Sequence, residues 1–233
     1  MATRTVLVTG ATRGLGKALV EHFLNAGHTV IGCGRGETTV THERYTHWRL
    51  DVTDATAVSG MFTELKRTVV TLDVLINNAG VASMNAVALT PLDAARRVVE
   101  TNFLAAFNFT REALRMMRKS SGGRVVNVTS VAVPLRLEGE AVYAASKSAL
   151  ETFTRIAAHE FAAFNVTCNA VGPCPVETSL TAGVPRQKMD RLVAAQAIQR
   201  WARPEDVVNV VDFFLRPESA MVTGQVIYLG GVS

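Results

Sequence analysis

Residues 5–16 read TVLVTGATRGLG, a short apolar run that enters a glycine-rich turn. The run Thr5–Thr9 is typical of a strand that is buried on both faces. Glycines between a strand and a helix let the backbone pass close to a pyrophosphate, and the helix N-terminus supplies free N–H groups. The spacing G-x-x-x-G-x-G therefore predicts a dinucleotide site with contacts from Gly10, Thr12, Arg13, Gly14, Leu15 and Gly16.

The rest of the chain repeats this order of strand and helix. Further β-rich runs predict strands at Thr29–Cys33, His47–Leu50, Val74–Asn77, Arg124–Thr129, Val166–Val171 and Gln225–Leu229. Apolar residues at i, i+3 and i+4 predict helices at Lys17–Ala26, Ala55–Val69, Leu92–Lys119 and Ala141–Phe164. This alternation predicts an α/β fold, a single doubly wound Rossmann domain over residues 1–233 with a parallel seven-stranded sheet and helices on both faces. Residues 175–203 depart from this alternation of strands and helices, which predicts a substrate lid there.

The composition excludes several classes of protein. The chain has 233 residues, of which 48% are hydrophobic and 19% charged, so it can bury a core and is not a disordered chain. Three cysteines without metal-ligand spacing predict no disulfide framework and no metal site. We see neither a signal peptide nor an apolar run of the ~18 residues that a membrane span needs, so we expect a cytoplasmic protein that binds no membrane.

The net charge of +4 is mild and comes from 24 basic and 20 acidic residues. Without aromatic residues among the basic ones, the chain shows no nucleic-acid surface. Arg111, Arg115, Arg118 and Lys119 stand at helical spacing. They form either a solvated helix face or a docking patch for an acidic partner.

The end of the second predicted strand decides which dinucleotide is bound. An acidic residue there would bind the ribose 2′-hydroxyl of NAD, but Arg35 lies at that place, 19 residues after Gly16. Arg13 and Arg35 together can grip a 2′-phosphate, so the sequence predicts NADP(H). Glu37 is the one nearby residue that would favour NAD, and it lies two positions further on.

A second group of residues, Ser130, Tyr143 and Lys147, has the spacing of a proton-transfer site. Ser130 follows a predicted strand, and Tyr143 and Lys147 lie one turn apart on a predicted helix. An ammonium favours the phenolate form, so we expect Lys147 to lower the pKa of Tyr143. The serine hydroxyl can hold a carbonyl oxygen, so the set predicts carbonyl reduction or its reverse, with the hydride carried by a nicotinamide.

The combined motifs resemble the short-chain dehydrogenase/reductase family over essentially the whole chain, and most of all its 3-oxoacyl-acyl-carrier-protein reductases. The glycine turn is followed, in that family's order and spacing, by Asp51-Val52, Asn77-Asn78-Ala79-Gly80, Asn102, Ser130, Tyr143 and Lys147. The resemblance implies that Asp51 and Val52 lie along the adenine. It also implies that Asn77, Ala79 and Gly80 form a wall beside the adenine and its ribose.

At the nicotinamide end, the resemblance implies that Asn102 holds a water in a proton relay with Lys147. Lys147 and Tyr143 would also contact the cofactor, Lys147 through the nicotinamide ribose. The loop after the strand Val166–Val171 would pass under the nicotinamide and contribute Pro173, Val176 and Thr178.

This loop departs from the family's pattern, since Cys174 replaces a glycine and Pro175 follows it. Both residues narrow the shapes that the turn can take. Cys174 is either a reactive thiol near the site or a passive packing residue.

The substrate remains open among three hypotheses. The first is an NADPH-dependent reductase of a 3-oxoacyl thioester, a small molecule or an acyl-carrier-bound chain. The second is a dehydrogenase of a polar secondary alcohol such as a sugar derivative, and the third is a non-catalytic NADP(H)-binding scaffold. The resemblance also implies a homotetramer or dimer formed through the two long helices Leu92–Lys119 and Ala141–Phe164.

Overall fold

A parallel sheet of seven strands forms the centre of the computed structural model, which describes residues 3–69, 71–82, 84–176 and 186–232. Its order is β3-β2-β1-β4-β5-β6-β7, with every neighbouring pair parallel. The strands are β1 Thr5–Thr9, β2 Thr29–Gly34, β3 Tyr45–Arg49, β4 Val74–Asn77, β5 Gly123–Val128, β6 Val166–Gly172 and β7 Val226–Tyr228.

Helices cover both faces of this sheet. They are α1 Gly14–Asn25, α2 Ala55–Thr68, α3 Leu92–Val99, α4 Ala105–Met117, α5 Ala132–Leu135, α6 Ala141–Phe161, α7 Arg186–Ala194 and α8 Pro204–Leu215. One core lies between the sheet and α1 and α8, and the other lies between the sheet and α2, α4 and α6. Within β1, Val6 and Val8 belong to the first core and Leu7 to the second. A strand that is buried on both faces needs apolar residues at successive positions, so the predicted doubly wound fold is confirmed.

Most elements begin or end one to three residues from their predicted bounds, and two of the differences have a physical reason in the sequence. Strand β3 begins at Tyr45, two residues before the predicted His47. The prediction missed this start because the edge strand is half exposed and its polar residues lack the apolar pattern of a buried strand. The predicted helix 92–119 is two α-helices joined by a π-helical turn at Glu100–Leu104. One extra residue in a helical turn leaves the apolar pattern almost unchanged, so the sequence does not reveal it.

The region predicted as a lid is described at its two ends. At its start Val176 forms a parallel bridge with Ala202, so the chain returns to the point where it left the sheet. Helix α7 lies between these residues, and its Met189 and Leu192 face the large cleft described below. Its role as a lid stays a prediction.

Candidate active site

A cleft of about 1070 Å³ lies at the carboxyl ends of the strands. The β1–α1 turn forms one wall, and the segments that follow β2, β4, β5 and β6 form the others. The chain order reverses between β1 and β4, which is where open parallel sheets bind ligands. The fold therefore brings the predicted glycine turn and the predicted catalytic residues to one cavity.

The glycine turn is shaped as a cradle for a phosphate group. Gly10 and Gly14 have φ values of 67° and 54°, which favour glycine. A Cβ at Gly16 would overlap the carbonyl oxygen of Gly10, so the first turn of α1 lies directly against the loop. Helix α1 has no acidic residue in its first turn and no side-chain cap, so its N-terminal N–H groups are left for an anion. These features fit the pyrophosphate of a dinucleotide.

Asn78 fixes this turn to the end of β4. Its Nδ2 donates hydrogen bonds to the carbonyl oxygens of Thr9, at 2.9 Å, and Gly10, at 3.3 Å. The Thr9 hydroxyl in turn accepts bonds from the backbone N–H groups of Asn78 and Ala79. The sequence motif includes Asn78, but this role was not predicted from it.

Asn77, which the sequence predicts in the cofactor wall, has its side chain buried in the core and is not among the residues that line the cleft. Its Nδ2 donates to Thr110 Oγ1 and to Asn127 Oδ1, at 2.9 and 2.8 Å. Successive strand residues point to opposite faces, so Asn78 lines the cleft and Asn77 does not. Ala79 and Gly80 line the cleft.

At the far end of the cleft, charged residues at or just after the ends of β2 and β3 surround the predicted adenosine position. Arg35 Nη1 lies 3.8 Å from Asp51 Oδ2 and remains largely exposed. Arg49 Nη1 binds Glu37 Oε1 at 2.8 Å, and its Nε donates to the Arg35 carbonyl oxygen. Hydrogen bonds from Thr53 lower the pKa of Asp51. Arg13, Asp51 and Val52 also line this part of the cleft.

Ser130, Tyr143 and Lys147 meet near the carboxyl end of β5. The Ser130 hydroxyl lies near enough to the Tyr143 phenol to lower its pKa, and it accepts a hydrogen bond from Ala132 N at 3.1 Å. Lys147 Nζ donates to the Val128 carbonyl oxygen at 2.8 Å and lies 6.0 Å from the centre of the Tyr143 ring. All three residues line the cleft.

Burial is the largest cause of the pKa shifts of Tyr143 and Lys147. It raises the pKa of Tyr143 to about 12, an effect that the neighbouring Ser130 hydroxyl partly offsets and the nearby Glu140 reinforces. Burial also lowers the pKa of Lys147 from 10.5 to about 8. The expectation that Lys147 lowers the pKa of Tyr143 is therefore wrong for the structure as it stands, because desolvation outweighs any such effect. Tyr143 is a neutral phenol at pH 7 and can donate a proton.

Asn102 lies behind this group rather than in the lining of the cleft. The π-helical turn buries its side chain, whose Oδ1 accepts from Val81 N at 2.8 Å and whose Nδ2 donates to Ser146 Oγ at 3.0 Å. A Cβ at Gly80 would lie within 3.4 Å of Asn102 Oδ1 and 3.5 Å of Lys147 Nζ. The predicted relay partners therefore both lie next to Gly80, on the side where a Cβ would stand, and the relay itself stays a prediction.

The loop after β6 forms the floor of the cleft through Pro173, Cys174, Pro175 and Val176. The Pro173 carbonyl oxygen accepts from Val131 N, and that of Pro175 accepts from Ala202 N at 2.8 Å. Cys174 is buried, which raises the pKa of its thiol, so it is a packing residue rather than a reactive thiolate. The predicted contact Thr178 lies outside the described residues.

The described chain contains no cluster of His, Cys, Asp and Glu side chains able to hold a metal ion. None of its helices is long and apolar enough to cross a membrane.

The chain is similar to known proteins along nearly its whole sequence. A family model described as enoyl-(acyl carrier protein) reductase matches residues 10–232. The 3-oxoacyl-[acyl-carrier-protein] reductase FabG of Vibrio cholerae is 30% identical over 98% of this chain and 96% of its own length.

Two solved structures share the fold over almost the whole chain. A variant of actinorhodin polyketide ketoreductase with NADPH has a TM-score of 0.88 and 28% identity, covering 98% of this chain and 96% of its own. A 4-hydroxyisoleucine dehydrogenase complexed with NADH has a TM-score of 0.90 and 25% identity, covering 99% of both chains. The similar structures thus include complexes with both nicotinamide dinucleotides.

Proposed function

The chain belongs to the short-chain dehydrogenase/reductase family, and from this premise we propose that it is an NADP(H)-dependent ketoreductase. It is an oxidoreductase of the class that interconverts ketones and secondary alcohols. The preferred substrate that we propose is a 3-oxoacyl thioester. The observation that carries the proposal is that Ser130, Tyr143 and Lys147 line the same cleft as the glycine turn.

The residues of the chain divide the work of a carbonyl reduction. A nicotinamide cofactor held in the cleft supplies the hydride to the carbonyl carbon, or accepts it in the reverse direction. The Ser130 hydroxyl donates a hydrogen bond that orients the carbonyl oxygen. Tyr143, a phenol that is protonated at neutral pH, donates its proton to that oxygen.

Lys147 and Asn102 restore the proton of Tyr143 in this proposal. The pKa of Lys147 is about 8, so it exchanges protons readily near neutral pH. Asn102 is fixed next to Gly80, on the same side as the Lys147 ammonium, where it can hold a water beside that ammonium. For the reverse reaction, the same chain of groups removes the proton from the alcohol.

The preference for NADP(H) rests on the charges at the adenosine end. Arg13 and Arg35 line this end and suit bidentate contacts to a 2′-phosphate. Glu37, the residue that would favour NAD, is bound by Arg49 at 2.8 Å. Its carboxylate is therefore neutralised by a third arginine rather than presented alone to a ribose.

The substrate end supports a thioester with an apolar chain. Val81, Ala82, Met84, Val131, Met189 and Leu192 contribute an apolar lining there. A polar alcohol is the second candidate, because Arg97, Glu100 and the buried Glu140 border the same cavity. These charged groups suit the hydroxyl groups of a sugar derivative.

We also propose that the protein forms a homodimer or homotetramer through α4 and α6. The Phe153 ring of α6 stacks edge to face on Phe103 and Phe107. Beside this stack, Leu104, Phe107 and Ile156 remain 47%, 41% and 55% exposed. Such an apolar patch on two adjacent helices suits a self-complementary interface.

The test combines a Tyr143→Phe variant with a panel of substrates. The variant should lose turnover of an acetoacetyl thioester by about 100-fold or more, because the proton donor is gone, yet bind NADPH as the wild type does. Turnover of a sugar lactone or polyol by the wild type, without turnover of the thioester, would favour the second candidate. Full activity of Tyr143→Phe would contradict the assigned proton donor, and NADPH binding without turnover of any substrate would favour the scaffold.

A further inference from the structure

Glu151 is a buried carboxylate that the proposed reaction does not use. It lies on α6 one turn after Lys147 and is only 3% exposed. Its Oε1 accepts a hydrogen bond from Thr129 Oγ1, and its Oε2 accepts one from the Tyr228 hydroxyl, both at 2.7 Å. The guanidinium of Arg155 stands 3.9 Å from Oε2. Burying a carboxylate costs free energy unless its oxygens are hydrogen-bonded, so both hydroxyl partners matter to its place in the fold.

The first partner, Thr129, stands between two parts of the catalytic group. The residue before it is Val128, whose carbonyl oxygen accepts the bond from Lys147 Nζ, and the residue after it is Ser130. Helix α6 is therefore hydrogen-bonded to the end of β5 at two points, through Lys147 and through Glu151. Because these two hydrogen bonds lie one helical turn apart, they fix both the distance of α6 from this strand end and the rotation of the helix about its axis.

The second partner, Tyr228, extends the connection to the floor of the cleft. It belongs to β7, and its ring occupies the space that a side chain at Gly172 would fill. Gly172 is the last residue of β6 and is followed directly by Pro173, where the floor begins. The Glu151 carboxylate thus connects α6 to the ends of β5 and β7. The Tyr228 ring that it binds packs against Gly172 at the end of β6.

We propose that Glu151 is a positioning residue for the reaction, acting through Thr129 and Tyr228 to hold Ser130 at its working distance from Tyr143 and Lys147. This inference rests on the proposed function, since it concerns the same catalytic group. Glu151 does not line the cleft, so it acts on the catalytic geometry and not on the bound nucleotide. We call the contacts of Glu151 with Thr129 and Tyr228 the clamp. A displacement of a catalytic group by about 1 Å can lower a rate about 100-fold. Loss of the clamp should therefore affect kcat more than KM.

The test compares three clamp variants with two matched controls. The clamp variants are Glu151→Gln, Thr129→Val and Tyr228→Phe. Glu112→Gln is the control for the carboxylate, because Glu112 is also buried but binds Lys66, Arg111 and Arg115 on α2 and α4. Tyr45→Phe is the control for the hydroxyl, since Tyr45 lies on β3 at the opposite edge of the sheet.

We expect kcat per folded molecule to fall by about 10- to 100-fold in Glu151→Gln and Thr129→Val, and by about 3- to 10-fold in Tyr228→Phe. The dissociation constant of NADPH should stay within about twofold of the wild type, because the clamp lies outside the cleft. Because Glu151 acts through Thr129, the double variant Glu151→Gln/Thr129→Val should lose no more than the worse single variant. Both control variants should keep the wild-type kcat.

Hydrogen exchange gives a readout that does not need turnover. The backbone N–H of Val131 is bonded to the Pro173 carbonyl oxygen, and that of Thr129 to the Val171 carbonyl oxygen. Both amides should exchange faster in the folded clamp variants than in the wild type and the controls.

Wild-type kcat in all three clamp variants would overturn the proposal, and so would equal losses in the clamp and control variants. If Glu151→Gln does not fold, Thr129→Val and Tyr228→Phe decide the matter by the same criteria. If the wild type turns over none of the substrates, the proposed function fails, and unchanged exchange at Thr129 and Val131 would then overturn the clamp separately.

Discussion

Replacing Lys147 by methionine should raise the stability of the nucleotide-free protein below pH 8 while it abolishes turnover. Burial lowers the pKa of this lysine from 10.5 to about 8. At ~1.36 kcal/mol per pH unit, the charged form costs the native state about 3 kcal/mol below pH 8. Methionine removes this cost, but it also removes the bond from Nζ to the Val128 carbonyl oxygen, worth about 1 kcal/mol. The net gain in the free energy of unfolding is about 2 kcal/mol at about pH 6.5.

The sign of the effect should reverse at high pH. Because the folded-state pKa is lowered, the unfolded chain binds more protons between pH 8 and 10.5, and the stability of the wild type rises across this window relative to the variant. Near pH 10.5 the charge cost has largely gone and the lost hydrogen bond remains. Lys147→Met should then be less stable than the wild type by up to about 1 kcal/mol.

Urea unfolding at about pH 6.5 and about pH 10.5 measures both differences. In thermal unfolding, a gain of about 2 kcal/mol corresponds to a rise of about 4–8 °C in Tm for a chain of this size. Lys17→Met is the control, since Lys17 lies on the surface of α1 beside Glu21 and its loss should change stability by less than about 0.5 kcal/mol at either pH. A variant that is less stable than the wild type at the lower pH, or a difference that does not change with pH, would refute the reasoning.

Three further predictions concern the cofactor site and the assembly. Arg35→Glu should weaken NADPH binding about tenfold or more relative to NADH in a fluorescence titration, because it replaces a phosphate partner by a like charge; an unchanged ratio would remove Arg35 from the site. Gly16→Ala should lower the free energy of unfolding by about 1–3 kcal/mol and abolish NADPH binding, because its Cβ overlaps the Gly10 carbonyl oxygen; wild-type binding would contradict the cradle. Phe107→Glu should turn the proposed oligomer into a monomer in sedimentation, and an unchanged mass would contradict the proposed interface.

The sheet and the glycine turn were predictable because their sequence signals are local. The inner strands are buried on both faces, and β1, β2 and β4 are therefore apolar at successive positions. The turn after β1 needs glycine where φ is positive and where α1 approaches Gly10, and these needs leave a visible spacing.

The missed features depend on contacts between distant parts of the chain. Whether Asn77 or Asn78 faces the cleft depends on the phase of β4, which two identical neighbours do not reveal. The protonation of Tyr143 depends on how deeply its hydroxyl is buried, a property of the assembled fold. Glu151 reads as an ordinary helix residue, since Thr129 and Tyr228 lie 22 and 77 positions away in the sequence.

The measurement that tests the central claim most directly is the oxidation of NADPH by the purified protein with an acetoacetyl thioester. Parallel reactions with NADH, and with each nucleotide but no substrate, provide the controls. The account predicts substrate-dependent turnover with NADPH and much slower turnover with NADH. Equal or faster turnover with NADH would contradict the roles assigned to Arg13 and Arg35, and failure to bind either nucleotide would contradict the assignment of the cleft as a dinucleotide site.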